Sequence, residues 1–176
     1  LKEDDTINNP LTKLGKEPWD EELTISYLRE KLNKKVARGE KLLDGEHILI
    51  SIIFIENNEG KFLMQKTSKE KGSKYSSTGG HVLENENSKD AIIREVKEEL
   101  GIDIPKDSLV VLGGITLGIP IFDVYYLKKD IDVNKISLQK DEVESVSYLN
   151  KKEISKLIRE ENITKSHGII FDKFIK

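Results

Sequence analysis

Apolar positions fall into separated blocks along the chain, and the spacing within each block names its element. Residues 18–34, PWDEELTISYLREKLNK, read as an amphipathic helix with Pro18 in its first turn and Leu23, Ile25, Leu28 and Leu32 apolar. His47 to Glu56 is rich in isoleucine and reads as a buried strand. Asn57-Asn58-Glu59-Gly60 makes a hairpin turn, and Lys61 to Thr67 returns as a second strand. Ser68 to Ser77 is polar and reads as loop. In SKDAIIREVKEEL, residues 88–100, the apolar Ile92, Ile93, Val96 and Leu100 share one helical face. Ser108 to Leu117 and Pro120 to Leu127 form two strands separated by Gly118-Ile119, and Glu144 to Leu149 a short final one. Lys151 to Glu160 and Ile163 to Ile175 close the chain as helices, with Asn150 and Thr164 or Ser166 as candidate caps. This order predicts an α/β fold, an α/β/α sandwich on a mixed sheet, with no internal repeat.

Length and charge narrow the class. A chain of 176 residues suits one domain with a sizeable core. Twenty-nine basic and 32 acidic residues are interspersed, for a net charge of −3, and no basic block stands out as a nucleic-acid surface. The absence of cysteine excludes a disulfide framework, a thiol nucleophile and cysteine zinc sites. No apolar run reaches membrane-spanning length and no signal peptide is visible, so a cytoplasmic setting is expected. The first residue is Leu1 rather than Met, which points to a trimmed start.

The chemistry concentrates in GHVLENENSKDAIIREVKEELGI, Gly80 to Ile102. At about 100° per residue, Glu95, Glu98 and Glu99 share an arc of roughly 100° beside the apolar stripe, with Arg94 flanking it. These carboxylates therefore stand at the rim of the core. Asn87 or Ser88 can cap the helix, Asp90 suits its first turn, and Gly101 supplies a left-handed stop. Gly79-Gly80 reads as a turn just before the loop into the helix, where backbone can approach a metal or a phosphate. Three crowded carboxylates repel one another unless a cation compensates, and oxygen-only donors favour Mg²⁺ or Mn²⁺ over zinc. The alternative for a lone Glu-x-x-Glu-Glu is a solvated charged face; the fixed spacing of Gly80, Glu86, Arg94 and Gly101 argues against it.

The segment resembles the Nudix box: Gly, five residues, Glu, seven residues, Arg-Glu-apolar-any-Glu-Glu-any-Gly-apolar. All nine specified positions match, and frequency multiplication puts a chance match on the order of 10⁻⁷. The resemblance implies a mixed sheet between helices, in a Nudix domain over residues 47–176 with residues 1–46 packed on it as an extension. It further implies a Mg²⁺-dependent hydrolase that cleaves a diphosphate linkage in a nucleoside diphosphate derivative or related organic diphosphate. Glu95, Glu98 and Glu99 would ligate the metal with the Gly79 carbonyl. Arg94 would hold Glu86 or a ligating carboxylate in place, leaving Glu86 structural alongside Gly80 and Gly101. The base is not fixed by the box; Glu98 is a candidate, as is Glu142, some six residues before Tyr148.

Arg38-Gly39-Glu40-Lys41-Leu42, Asp44-Gly45-Glu46-His47 and Thr78-Gly79-Gly80 also resemble the branch related to isopentenyl-diphosphate isomerase. Those isomerases use a catalytic cysteine that this chain lacks. Where that branch has Gln-Lys-Arg, this chain has Gln65-Lys66-Thr67, leaving Lys66 as the substitute phosphate contact; His81 could touch substrate or satisfy the loop. Competing readings are a non-catalytic nucleotide- or metabolite-binding module and an isomerase-like enzyme. The N-terminal segment could cover the site or make a homodimer contact.

Overall fold

A single strand organises the architecture. β1 (Ile48–Glu56) runs parallel to β6 (Pro120–Lys128) along its whole length, from Ile48 opposite Pro120 to Glu56 opposite Lys128. Beyond β6 lies β5 (Val110–Thr116), antiparallel, at the edge of the sheet. The other side of β1 is divided. Its end pairs with β2 (Phe62–Thr67) at Glu56 and Phe62, whereas its first half pairs with β4 (Thr78–His81), from Ile50 opposite His81 to Ile53 opposite Thr78. β2 carries on with the short β3 (Tyr75–Ser76) and with β7 (Val143–Leu149). The sheet thus forks between β2 and β4. The computed structural model that shows this describes residue 41, residues 46–83 and residues 86–176; the amphipathic helix expected over 18–34 lies outside the described residues.

The continuous apolar run of β1 has its explanation in the layers on either side. Alternate residues Ile52 and Phe54 join Phe62, Met64, Phe122 and Val124 against α2 (Lys151–Arg159) and α3 (Lys165–Phe174), which supply Ile154, Ile170 and Phe171. Phe54, Phe62 and Phe171 meet edge to face, with centroids 5.7 to 6.4 Å apart. Ile53 and Ile55 face the other way, with Leu63, Tyr125 and Leu127, onto Ile92, Val96 and Leu100 of α1 (Ser88–Leu100). The ends of α1 are set locally. The Asn87 side chain accepts from Asp90 N at 2.8 Å, and Gly101 adopts φ 69° while its N–H reaches the Lys97 carbonyl at 2.9 Å. Asn150 and Glu153 form a reciprocal capping box on α2.

Three expectations need correction. Ser68 to Ser77 is not all loop: it holds a 3₁₀ turn over Lys69–Lys71 and the strand β3. Gly79 and Gly80 are not in a turn but inside β4, with no left-handed backbone angle; they answer to close approach rather than to chain reversal. The last helix starts at Lys165, later than Ile163, because Ile163 bridges to Tyr75 and Thr164 N donates to the Tyr75 carbonyl. Thr164 occupies the cap position without a side-chain bond.

Candidate active site

Position on the helical wheel decides how far each box carboxylate is buried. Glu99 lies next to the apolar stripe and is only 7% exposed. Glu95, at the middle of the arc, is partly buried, and Glu98, at its far side, is exposed. Burial pushes the Glu99 carboxyl up to about 7, against the hydrogen bond from Gln65, and the charges of Glu95 and Glu142 add to the rise. Desolvation also raises Glu95, offset by the neighbouring Arg94.

Gly80 makes room for Glu95. A Cβ at position 80 would lie 2.2 Å from Glu95 Oε1, so a side chain there would displace the carboxylate. The constraint at Gly79 is different: a Cβ would lie 2.5 Å from the Ser51 carbonyl oxygen of β1.

Arg94 gathers the loop and the helix. Its Nη2 donates to Glu86 Oε1 at 2.8 Å and Nε to Glu86 Oε2 at 3.2 Å, a two-pronged hold that lowers the Glu86 carboxyl. Nη1 donates to Glu95 at 2.9 Å and to Glu98 at 3.1 Å, and Nη2 also to the His81 carbonyl at 3.0 Å. Glu86 Oε1 additionally accepts from Leu83 N at 2.9 Å, which fastens the loop to the same cluster. Among the described residues no three acidic or histidine side chains already converge on one point; Arg94 draws Glu95 and Glu98 to itself.

Around Glu99 the fold assembles residues that sequence reasoning left out. Gln65 Nε2 donates to Glu99 Oε2 at 3.1 Å, and Gln65 Oε1 accepts from Thr78 Oγ1 at 3.0 Å. A glutamine inside the apolar FLMQKT was the available signal. Lys71, in the 3₁₀ turn, pairs with Glu142 at 2.6 Å, and its charge also reaches Glu99. The loop carrying Glu142 is anchored here: Gln139 N donates to the Glu99 carbonyl at 3.1 Å and Ser68 N to the Glu142 carbonyl at 3.1 Å. Glu142 therefore stands beside the box helix. The Tyr148 hydroxyl accepts from Ile131 N at 3.0 Å instead.

The remaining candidates are placed elsewhere. Lys66 follows Gln65 on β2 and so projects from the opposite face, that of Phe62 and Met64; it is not brought to the carboxylates. His81 contributes its carbonyl to Arg94. His47 Nδ1 lies 2.9 Å from the Ile119 carbonyl. His167 Nδ1 accepts from Ser77 N at 3.2 Å with the Ser77 hydroxyl 3.0 Å away, and burial pushes its imidazole down to about 4.

A family model described as NUDIX domain matches residues 46–173. The chain belongs to the Nudix family. An uncharacterized Nudix hydrolase of Listeria innocua is 32% identical over 145 residues, which span 80% of this chain and 84% of the relative. The fold is similar to a crystal structure from Deinococcus radiodurans, with a TM-score of 0.68 at 18% identity, over 80% of this chain and 91% of the other. It is also similar to the NUDIX domain of Shewanella oneidensis NrtR in complex with ADP ribose, with a TM-score of 0.59 at 13% identity, over 82% and 94% of the two chains. The chain is thus a Nudix hydrolase, a class acting on acid anhydrides, with its box running from β4 through the full length of α1. No helix among the described residues is long and apolar enough to cross a membrane.

Proposed function

We propose that this Nudix protein hydrolyses the diphosphate linkage of a nucleoside diphosphate derivative or a related organic diphosphate, with Mg²⁺ or Mn²⁺ held by Glu95, Glu98 and Glu99 and the Gly79 carbonyl. The observation that carries the reading is Glu99. It is a carboxylate almost wholly buried, beside Glu95, and its direct hydrogen-bond partner is the neutral amide of Gln65. Such a group is expensive to keep ionised unless a cation compensates it. The donor set fits a hard divalent ion, since every candidate ligand atom is oxygen. When bound, that ion would activate water and screen the charge of the departing phosphate.

The chain's own groups take separate parts. Arg94, through its hold on Glu86 and the His81 carbonyl, fixes the angle at which Glu95 and Glu98 leave the helix. Glu98 is the most exposed of the three and the best situated to take a proton from water at the solvent side. Glu142 is a second candidate base, engaged with Lys71 in this state. The complex of the Shewanella neighbour with ADP ribose makes nucleoside diphosphate derivatives the first substrates to try. The test is a panel of such compounds with Mg²⁺ in ¹⁸O-labelled water. Metal-dependent release of an ¹⁸O-labelled phosphate product is expected; tight binding without turnover of any compound would overturn the hydrolase reading in favour of a binding module.

A further inference from the structure

The most informative unassigned group is Gln65. It sits on the α1 face of β2, in line with the apolar Leu63, and is 6% exposed. An amide in that position carries a desolvation cost unless its polar atoms find partners, and both do. In its ionised form the Glu99 carboxylate only accepts, so the amide nitrogen faces Glu99, and the amide oxygen accepts from the Thr78 hydroxyl. The orientation of Gln65 is therefore fixed from both sides. Thr78 lies on β4 and Gln65 on β2, strands that share β1 as a neighbour but do not pair with each other. The Thr78–Gln65 bond spans the fork in the sheet, and Glu99 hangs from it.

We infer that Gln65, locked by Thr78, is a positioning residue that aims the Glu99 carboxylate at the divalent cation. The inference rests on the reading of Glu99 as a cation ligand given above. Its physical point is the neutrality of the amide. The charges of Glu95 and Glu142 disfavour an ionised Glu99, and the Gln65 amide is the donor that holds its carboxylate in place. An arginine or lysine at position 65 would hold Glu99 equally well but would satisfy its charge permanently and compete with the cation. Glutamine orients the carboxylate and leaves its charge available. One oxygen, Oε2, is engaged by the amide, and the other is left to ligate.

The test is Mn²⁺ binding in the absence of substrate, followed by electron paramagnetic resonance, on the wild type, Gln65→Met, Gln65→Lys, Thr78→Val and Thr78→Ser. Methionine matches glutamine in size and suits the apolar strand, and thermal melting verifies that each variant is folded. Gln65→Met is expected to weaken Mn²⁺ binding about 10-fold. Gln65→Lys should weaken it further, Thr78→Val less than Gln65→Met, and Thr78→Ser should restore wild-type affinity. Equal binding by the wild type and Gln65→Met would overturn the positioning role while leaving the metal reading intact. No Mn²⁺ binding by the wild type itself would overturn both.

Discussion

Gly79 and Gly80 are adjacent in β4, yet they lack side chains for different reasons. The space beside Gly79 is filled by the backbone of β1, which cannot yield locally; the space beside Gly80 is filled by the far end of Glu95, which can. Gly79→Ala is therefore expected to cost about 2–3 kcal/mol of stability as an overpacked strand pair, measured by urea unfolding. Gly80→Ala should melt close to the wild type but lose about 10²-fold in turnover, because its methyl displaces a carboxylate from the site. Equal stability loss in both variants would contradict this division. Single residues were unevenly legible in the sequence. Box spacing singled out Glu95, Glu98, Glu99, Arg94 and Glu86, because a helix turns its sequence separations directly into neighbours. Gln65, Thr78 and Lys71 reach Glu99 through strand pairing and a loop fold-back, and no local pattern encodes those.

At the scale of elements, α1 was readable end to end. Its cap, its apolar stripe and its Gly101 stop all follow from local chemistry. β3 and β4 were not, since TGGH carries no alternation of apolar side chains and YS is too short to show any. They exist because β1 and β2 offer them edges, a tertiary cause. The start of α3 is likewise not local, because Ile163 and Thr164 are taken up by Tyr75. The junction between α3 and the β3–β4 connection makes a pH-dependent prediction. His167 stays neutral in the fold, its imidazole lowered from the ordinary 6.5 to about 4 by burial. Below the ordinary value the unfolded chain takes up a proton that the folded one refuses. The stability this group contributes is thus complete above 6.5 and is lost as pH falls toward 4, by about 3 kcal/mol in full. His167→Gln should flatten that acid limb in urea titrations at successive pH values. A variant with the same acid limb as the wild type would refute the assignment.

For the molecule as a whole, the last turn of α1 buries the Glu99 carboxylate against the forked sheet, and the fold bears a cost for it. Glu99 is raised from the ordinary 4.5 to about 7, so between those values the unfolded chain releases a proton that the folded chain retains. Metal-free stability then declines as pH rises from 4.5 toward 7, by about 3 kcal/mol once Glu99 is fully ionised. Glu99→Gln should accordingly stabilise the metal-free protein at pH 8. Mg²⁺ should raise the wild-type melting temperature at pH 8 more than at pH 5, and should do little for the variant. An unchanged Mg²⁺ effect in Glu99→Gln would place the cation elsewhere.

The α/β layering and the reaction class were legible because the box is a local pattern with global consequences. Substrate identity was not, since no local pattern in the polar segments 68–78, 118–120 and 128–142 names a base or a sugar. The central claim, that the carboxylates of α1 catalyse diphosphate hydrolysis with a divalent cation, is tested most directly by Glu98→Gln. Turnover of the best substrate from the nucleoside diphosphate panel would be compared with the wild type at saturating Mg²⁺. The account predicts a fall of about 10²–10⁴-fold with an unchanged melting temperature, the loss expected for a general base and ligand. Wild-type turnover by a folded Glu98→Gln protein would contradict it.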